Sequence, residues 1–158
     1  MMDDILIKKC KKEDIPQLKD IYTECIQYHI KTGYHLDKVF NAPELFSDHA
    51  KELINRDDGL LIVAKSDNQI VGYCASKISE KPPVYAELRY GEIENLAVSR
   101  DFQRQGVGEK LFQETVKWLQ KRNIKRIEIM VTIRNPKSNN FWQKMGFKTF
   151  MKTMDKEI

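Results

Sequence analysis

One stretch of the sequence has the residue types of a ligand-binding site. It is a glycine-containing turn between an apolar strand and a helical segment. It lies in "RDFQRQGVGEKLF" and comprises Gln103, Arg104, Gln105, Gly106, Val107 and Gly108. Glycines at a helix N-terminus expose backbone N–H groups, the helix dipole favours negative charge there, and Arg104 adds a cation. A pyrophosphate fits this chemistry, so the stretch predicts a site for a phosphorylated ligand.

Three interpretations of the two glycines compete. A phosphate-binding loop of the GxxxxGK[ST] type is absent, because "GVGEKLF" lacks that spacing. A dinucleotide-binding fingerprint needs a third glycine and an acid at the end of the next strand, and neither is present. The plainest interpretation is a tight turn that binds nothing, and an isolated GxG would favour it.

The elements on either side must position this turn. Apolar periodicities predict the order β-α-α-β-β-β-α-β-α-β. The predicted ranges are strand 5–10, helices 13–31 and 43–55, a hairpin over 59–78 turning at "SDNQ", strand 91–98, helix 106–122, strand 126–133, helix 136–145 and a last strand, "FKTFMKTM". The later strand–helix–strand predicts a parallel pair and the hairpin predicts antiparallel neighbours, so the fold class is α/β with a mixed sheet.

Composition bounds the class of protein. The 158 residues, 41% of them hydrophobic, fit a single domain over residues 1–158. The net charge of +4 is compatible with an anionic ligand and too small to argue for nucleic acid. No apolar run reaches the ~20 residues that a membrane span needs. Three cysteines without a CxxC favour free thiols, so a cytoplasmic location is expected.

Two linked motifs carry a family resemblance. "IENLAVSRDFQRQGVGEKLF" resembles the acyl-CoA-binding motif of the GNAT superfamily of N-acyltransferases, [QR]-x-x-G-x-[GA]. "NPKSNNFWQKMGF" is similar to the motif that follows it in that superfamily, N-x-x-[AS]-x-x-F-Y-x-x-x-G-F, and the gap fits one helix and one strand. The resemblance covers residues 91–147. It implies a GNAT-like, mostly antiparallel sheet of about six strands with a splayed central parallel pair and about four helices.

The resemblance implies acetyl-CoA as cosubstrate, with no metal. It implies that residues 103–108 cradle the pyrophosphate of acetyl-CoA. The backbone of Leu96, Ala97 and Val98 is then expected to pair with the pantetheine arm as an added strand would, because a strand edge offers free N–H and C=O groups to its amides.

The second motif contributes further residues to the implied cofactor site. The resemblance places Asn135 near the pantetheine. From the sequence alone, Asn135 also fits a helix N-cap before Pro136, and the two roles can coexist. Ser138 and Lys144 match positions that meet the cofactor's phosphates.

The implied reaction, direct acetyl transfer to a primary amine, needs a proton acceptor. An amine with a pKa of ~10.4 is an ammonium at pH 7 and cannot attack. Glu92 and Glu94 are two apart on a strand, so both are expected on one face, on the side of Leu96 and Val98. Their repulsion can raise one pKa toward neutrality. We predict Glu92 as base and Glu94 as anchor of the amine, with the reverse order open and two solvated glutamates as the alternative.

One position departs from the family pattern. Trp142 replaces the tyrosine that could protonate the leaving thiolate, and an indole N–H is not a general acid. Tyr34, Tyr85 and Tyr90 are candidate replacements, and Tyr34, His35 and Trp142 are weaker candidates for contact with the acceptor. The departure keeps open an alternative function, an acyl-CoA-binding sensor that binds the cofactor without turnover.

The sequence leaves the acceptor open among small amines, polyamines, antibiotics and protein N-termini, although the acidic pair favours a cation. Only twelve residues follow Gly146, enough for one strand where family members often have two. A homodimer that completes the sheet is therefore expected, with no nucleic-acid or membrane partner.

Overall fold

The computed structural model describes residues 4–32 and 41–158, which form one sheet with helices on both faces. Its strands are β1 (Leu6–Lys9), β2 (Gly59–Ser66), β3 (Gln69–Glu80), β4 (Arg89–Val98) and β5 (Ile127–Ile129). Its α-helices are α1 (Ile15–Lys31), α2 (Ala42–Ile54), α3 (Val107–Gln120) and α4 (Pro136–Lys144). Proline lies in the first turn of α1, α2 and α4, where its missing N–H leaves no helical bond unmade.

The strands follow the order β1-β2-β3-β4-β5 across the sheet. Neighbours are antiparallel except for β4 and β5, which are parallel, so the predicted mixed fold class is confirmed. The β4–β5 ladder begins at Gly91 and Ile127 and ends at Ile93 and Ile129. No described strand pairs with β4 on that side beyond Ile93, so the edge of residues 94–98 lies open.

β4 and β5 part after Ile93 and Ile129, and a β-bulge interrupts β4 beside this parting of the strands. Ser76 of β3 pairs with Ile93 and Ala75 pairs with Asn95, so Glu94 is an extra residue without a partner on β3. A bulge of this kind leaves two successive side chains on one face and shifts the alternation that follows.

Each face of the sheet carries its own core. One core packs α1 and α2 on alternate residues of β2, including Leu61 and Val63. The other packs α3 and α4 on the residues between them, including Leu60 and Ile62. Burial of both faces explains the continuous apolar run of β2.

The prediction of a last strand is wrong for the described tail. Residues 147–158 form no strand, so the sheet has five described strands rather than about six. The predicted strand 126–133 is also shorter, because the chain leaves the sheet after Ile129 and exposes Met130 and Ile133. A three-residue β5 offers few ladder hydrogen bonds to a further strand, which explains why the tail does not add one.

The three cysteines are free thiols. Burial raises the pKa of Cys10 to about 12, that of Cys25 to about 11 and that of Cys74 to about 12. Within residues 4–32 and 41–158, none of the helices has the length and apolar character needed to cross a bilayer.

Candidate active site

The N-terminus of α3 is open to an anionic ligand. Gly106 is its N-cap residue, with φ of 80°, and Arg104 is left-handed as well, with φ of 61°. No side chain of the described residues caps this helix, and its first helical bond runs from Lys110 N–H to the Gly106 carbonyl. The N–H groups of the first turn therefore remain available to an acceptor.

The two glycines of the turn have different structural roles. A Cβ built on Gly106 has no atom within 4 Å, so only its positive φ requires glycine. A Cβ built on Gly108 lies 3.3 Å from the Phe141 ring and 3.5 Å from Leu96 Cδ2. Gly108 therefore allows α3 to approach α4 and β4 closely, while Gly106 shapes the turn.

The polar residues of the turn hold it in place. The Gln103 side chain donates to the Val98 carbonyl at 3.0 Å, and that of Gln105 donates to the Asp101 carbonyl at 2.8 Å. Arg104 is exposed and makes no ion pair with a described residue, whereas Val107 is buried in the core. The turn thus presents one free cation beside the open helix N-terminus.

The backbone of Leu96, Ala97 and Val98 leads from the parting of the strands to this turn. The three residues follow the last β4–β5 pair and belong to the open edge of β4. The predicted strand edge therefore leads directly to the predicted anion site. We call the open edge of residues 94–98 and the turn of residues 103–108 together the cleft border.

The second motif lies at the start of α4, which follows β5 in the chain. The Ser138 N–H donates to Asn135 Oδ1 at 3.1 Å, so the N-cap prediction for Asn135 is confirmed. Lys144 is exposed, and its Nζ lies 3.7 Å from Glu109 Oε2 in the first turn of α3. Lys144 is thus within reach of the same helix N-terminus, whereas Ser138 is half-buried under Asn135.

The two predicted acids lie together, with a lysine between them. Lys77 Nζ is 2.6 Å from Glu94 Oε1 and 3.7 Å from Glu92 Oε2. The Ser79 hydroxyl donates to Glu92 Oε2 at 2.6 Å. The pair therefore carries one internal counter-ion that the sequence did not reveal, since Lys77 lies on the neighbouring strand.

The predicted face of this pair needs a correction. Glu92 and Glu94 share a face as expected, but it is the α1–α2 face, because Glu94 contacts α2. Leu96 and Val98 pack with the α3–α4 core instead. The bulge at Glu94 breaks the strict alternation on which the prediction depended.

His49 completes the cluster and was missed by sequence reasoning. Its Nε2 lies 2.8 Å from Glu94 Oε2, although the two residues are far apart in the chain. His49 is three residues after Phe46 and four before Leu53, both buried on α2, and this helical spacing was the available signal.

Glu94 is held as a carboxylate. Burial raises its pKa, but hydrogen bonds from Lys77 and His49 outweigh that effect and leave the pKa below its ordinary value. The expectation that repulsion brings a pKa toward neutrality is therefore wrong for Glu94.

The remaining candidates lie in the core, beside Lys81 or outside the described residues. Trp142 is 5% exposed and packs edge-on against Phe112, Phe141 and Phe147, so its ring is part of the core. Tyr85 and Tyr90 each place a ring centroid 5.0 Å from Lys81 Nζ. Tyr34 and His35 lie outside the described residues.

Comparison with known proteins decides the family. The model of the acetyltransferase (GNAT) family matches residues 16–147. The chain belongs to this family. An uncharacterized N-acetyltransferase of Archaeoglobus fulgidus is 25% identical over 136 residues, which cover 86% of this chain and 88% of that protein. An N-alpha-acetyltransferase of Sulfurisphaera tokodaii is 27% identical, over 65% of this chain and 62% of that protein. Both relatives of this GNAT chain are thus named N-acetyltransferases.

Solved structures of the same fold agree. A tetramutant of a Bacillus halodurans protein has a TM-score of 0.86 at 17% identity, covering 97% of this GNAT chain and 99% of its own. A Clostridium acetobutylicum protein described as a predicted acetyltransferase, solved with acetyl-CoA, has a TM-score of 0.78 at 18% identity, covering 98% and 96%. These likenesses show that the GNAT fold is shared.

Proposed function

We propose that this chain transfers the acetyl group of acetyl-CoA directly to a primary amine. The observation that carries the proposal is the parting of β4 and β5 after Ile93 and Ile129. It leaves an open strand edge that leads to the uncapped N-terminus of α3. A linear cofactor with amides at one end and a pyrophosphate at the other matches this arrangement. The backbone N–H and C=O groups of the strand edge suit the amides, and the N–H groups at the start of α3 suit the pyrophosphate.

The proposed cofactor contacts follow this border. The backbone of residues 96–98 pairs with the pantetheine arm, and residues 103–108 hold the pyrophosphate. Asn135 faces the arm from the start of α4, while Ser138 and Lys144 contribute to the phosphate side. Their support is the geometry of the turn, the free Arg104 and the reach of Lys144 toward α3.

The acceptor amine is proposed to lie on the Glu92 and Glu94 side of the sheet. Two carboxylates with Lys77 between them leave one net negative charge, which matches the charge of a single ammonium. An α-amino group, with an ordinary pKa of ~7.7–8.0, gives up its proton far more readily than a lysine at ~10.4.

Two relatives favour the same class of acceptor. One is named an N-alpha-acetyltransferase. Another, from Bacillus subtilis, is named a putative alanine N-acetyltransferase of ribosomal protein bS18 and is 22% identical over 107 residues. We therefore propose the α-amino group of a peptide or protein as the acceptor.

Calorimetry with acetyl-CoA, desulfo-CoA and adenosine diphosphate tests the cofactor site, and thiol release against an amine panel tests the reaction. The panel contains peptides with free and with blocked N-termini, a polyamine and an aminoglycoside. We expect binding of acetyl-CoA and thiol release that depends on a free N-terminus. Binding without release from any amine would favour the sensor function, and no binding would overturn the cofactor assignment.

Three broader expectations remain proposals. We propose a single domain over residues 1–158, a cytoplasmic protein and a homodimer. Support for the dimer is the exposure of apolar side chains beside the short β5, at Met130, Ile133, Phe150 and Met151. Sedimentation equilibrium at micromolar concentration distinguishes the dimer from a monomer.

A further inference from the structure

A hydrogen-bonded chain of three side chains lies one residue beyond the point where β4 and β5 part. His49 Nε2 is 2.8 Å from Glu94 Oε2, and Lys77 Nζ is 2.6 Å from Glu94 Oε1. Each of the two carboxylate oxygens of Glu94 therefore faces a separate partner. The cluster joins α2, β3 and β4 at the bulge.

Glu94 is poorly suited to take a proton from an amine itself. Its side chain is 17% exposed, and both of its oxygens already accept hydrogen bonds. The hydrogen bond to Glu94 in turn raises the pKa of Lys77, so Lys77 stays an ammonium beside it. A carboxylate that is fixed and stabilised in this way serves better to orient a neighbour than to accept a proton.

His49 has the opposite properties. Its side chain is 45% exposed, and its Nδ1 makes no hydrogen bond with any described residue. An ionised Glu94 accepts a hydrogen bond from Nε2–H, which leaves the lone pair of a neutral imidazole on Nδ1. The pairing with Glu94 thus selects one tautomer and one ring orientation.

The charged groups around the imidazole come from several elements. Glu92 and Glu94 lie on β4 and Lys77 on β3. Arg56 follows α2, is paired with Asp58 and interacts electrostatically with Glu94. The imidazole therefore lies in a cluster that contains both acids and cations.

We propose that His49 is the proton acceptor for the amine and that Glu94 positions it. The inference rests on the proposed function and names the group that performs its deprotonation step. It replaces Glu94 as a direct base, because both oxygens of that carboxylate already accept hydrogen bonds.

The step balances as follows. The acceptor's R–NH₃⁺ gives one proton to Nδ1, directly or through water, and becomes R–NH₂. Its lone pair forms the C–N bond at the thioester carbonyl, the C–S bond breaks, and the sulfur leaves with that electron pair. The second amine proton goes to the thiolate, and the imidazolium returns its proton to water.

The test compares the pH dependence of kcat/KM in the wild type and in His49→Gln. We expect His49→Gln to lose on the order of 10²–10⁴-fold in kcat, with a small change in KM for the peptide and a flattened acidic limb of the profile. Added imidazole is expected to restore part of the activity of His49→Ala. Lys51→Gln, which removes only the exposed α2 ion pair with Asp48, is the matched control and should keep the wild-type profile.

A second measurement does not depend on turnover. In ¹⁵N-labelled protein, the neutral His49 ring should carry its proton on Nε2, and Glu94→Gln should mix the tautomers. A parallel pH profile in His49→Gln, or a neutral ring protonated at Nδ1, would overturn the role of His49 while leaving the proposed function in place. A wild type that binds acetyl-CoA and acetylates no amine would instead remove the proposed function and this inference with it.

Discussion

Gly106 and Gly108 look alike in the sequence, but glycine is favoured at each position for a different physical reason. Gly106 is required by a left-handed backbone at the start of α3. Gly108 lies where a Cβ would press on the Phe141 ring at 3.3 Å and touch Leu96 at 3.5 Å. Only Gly106 faces open space, so it is the position at which a substitution separates backbone strain from ligand contact.

We predict that Gly106→Ala weakens acetyl-CoA binding slightly and that Gly106→Glu abolishes it. Alanine adds only the strain of a left-handed residue, about 1–2 kcal/mol, whereas glutamate also brings negative charge to the proposed phosphate site. Calorimetric titration of both variants measures the difference. Equal affinities in the two variants would refute the phosphate assignment.

Residues with local signals could be predicted from the sequence, and those with distant partners could not. The Asn135 cap depends on contacts within four residues and was predicted correctly. The contact of His49 with Glu94 depends on how α2 packs on the sheet, and the face of Glu94 depends on a bulge. Neither feature follows from a strict period of two or 3.6.

At the scale of elements, a buried ion pair ties the start of α1 to β2. Asp14 accepts hydrogen bonds from Lys65 Nζ at 2.7 Å and from the Lys11 N–H at 2.9 Å. Burial raises the pKa of Asp14, but these hydrogen bonds outweigh it and lower the pKa below its ordinary value. The contact between the start of α1 and β2 is therefore sensitive to acid.

We predict that stability falls in acid partly through Asp14. Its folded pKa lies below the unfolded value of ~3.9, so its contribution is complete above that value and is lost as the pH drops through the folded pKa. Asp14→Asn should lower the free energy of unfolding at pH 7 by about 1–3 kcal/mol and reduce its pH dependence below pH 5. Urea unfolding at several pH values measures both effects.

The control for this prediction is Asp48→Asn, which alters an exposed carboxylate on α2. It should change the free energy of unfolding by less than about 0.5 kcal/mol, both at pH 7 and below pH 5. An Asp14→Asn variant as stable as this control would show that the buried pair does not hold the contact between α1 and β2.

Element types were more predictable than their extents. Apolar periodicity identified the four α-helices of the described residues, since each buries residues on one face. The last strand failed because a strand needs a partner edge, and β5 is only three residues long. Local propensity carries no information about that edge.

At the scale of the whole molecule, the open edge of β4 leaves a cleft border that a bound cofactor would complete. Because the ligand binds the folded chain and not the unfolded one, binding adds to stability by mass action. At a concentration 100 times its Kd, acetyl-CoA should add about 2.7 kcal/mol, which corresponds to a rise in Tm of roughly 5–10 °C for a chain of this size.

Differential scanning calorimetry with and without acetyl-CoA checks this rise. Gly106→Glu should show none of it, while its Tm without ligand reports only the cost of the substitution. An unchanged wild-type Tm at saturating acetyl-CoA would contradict binding to the folded state.

Cys10 and Cys74 are buried and Cys25 is partly buried, so the reactivity of the three thiols reports on unfolding of the chain. Thiol reagents react with thiolates, and burial keeps Cys10, Cys25 and Cys74 protonated at neutral pH. Cys10 follows β1, Cys25 lies on α1 and Cys74 lies in the centre of the sheet. The intact protein should therefore react slowly with a reagent that counts released CoA, and colour that develops without amine would report the local or global unfolding that exposes these thiols.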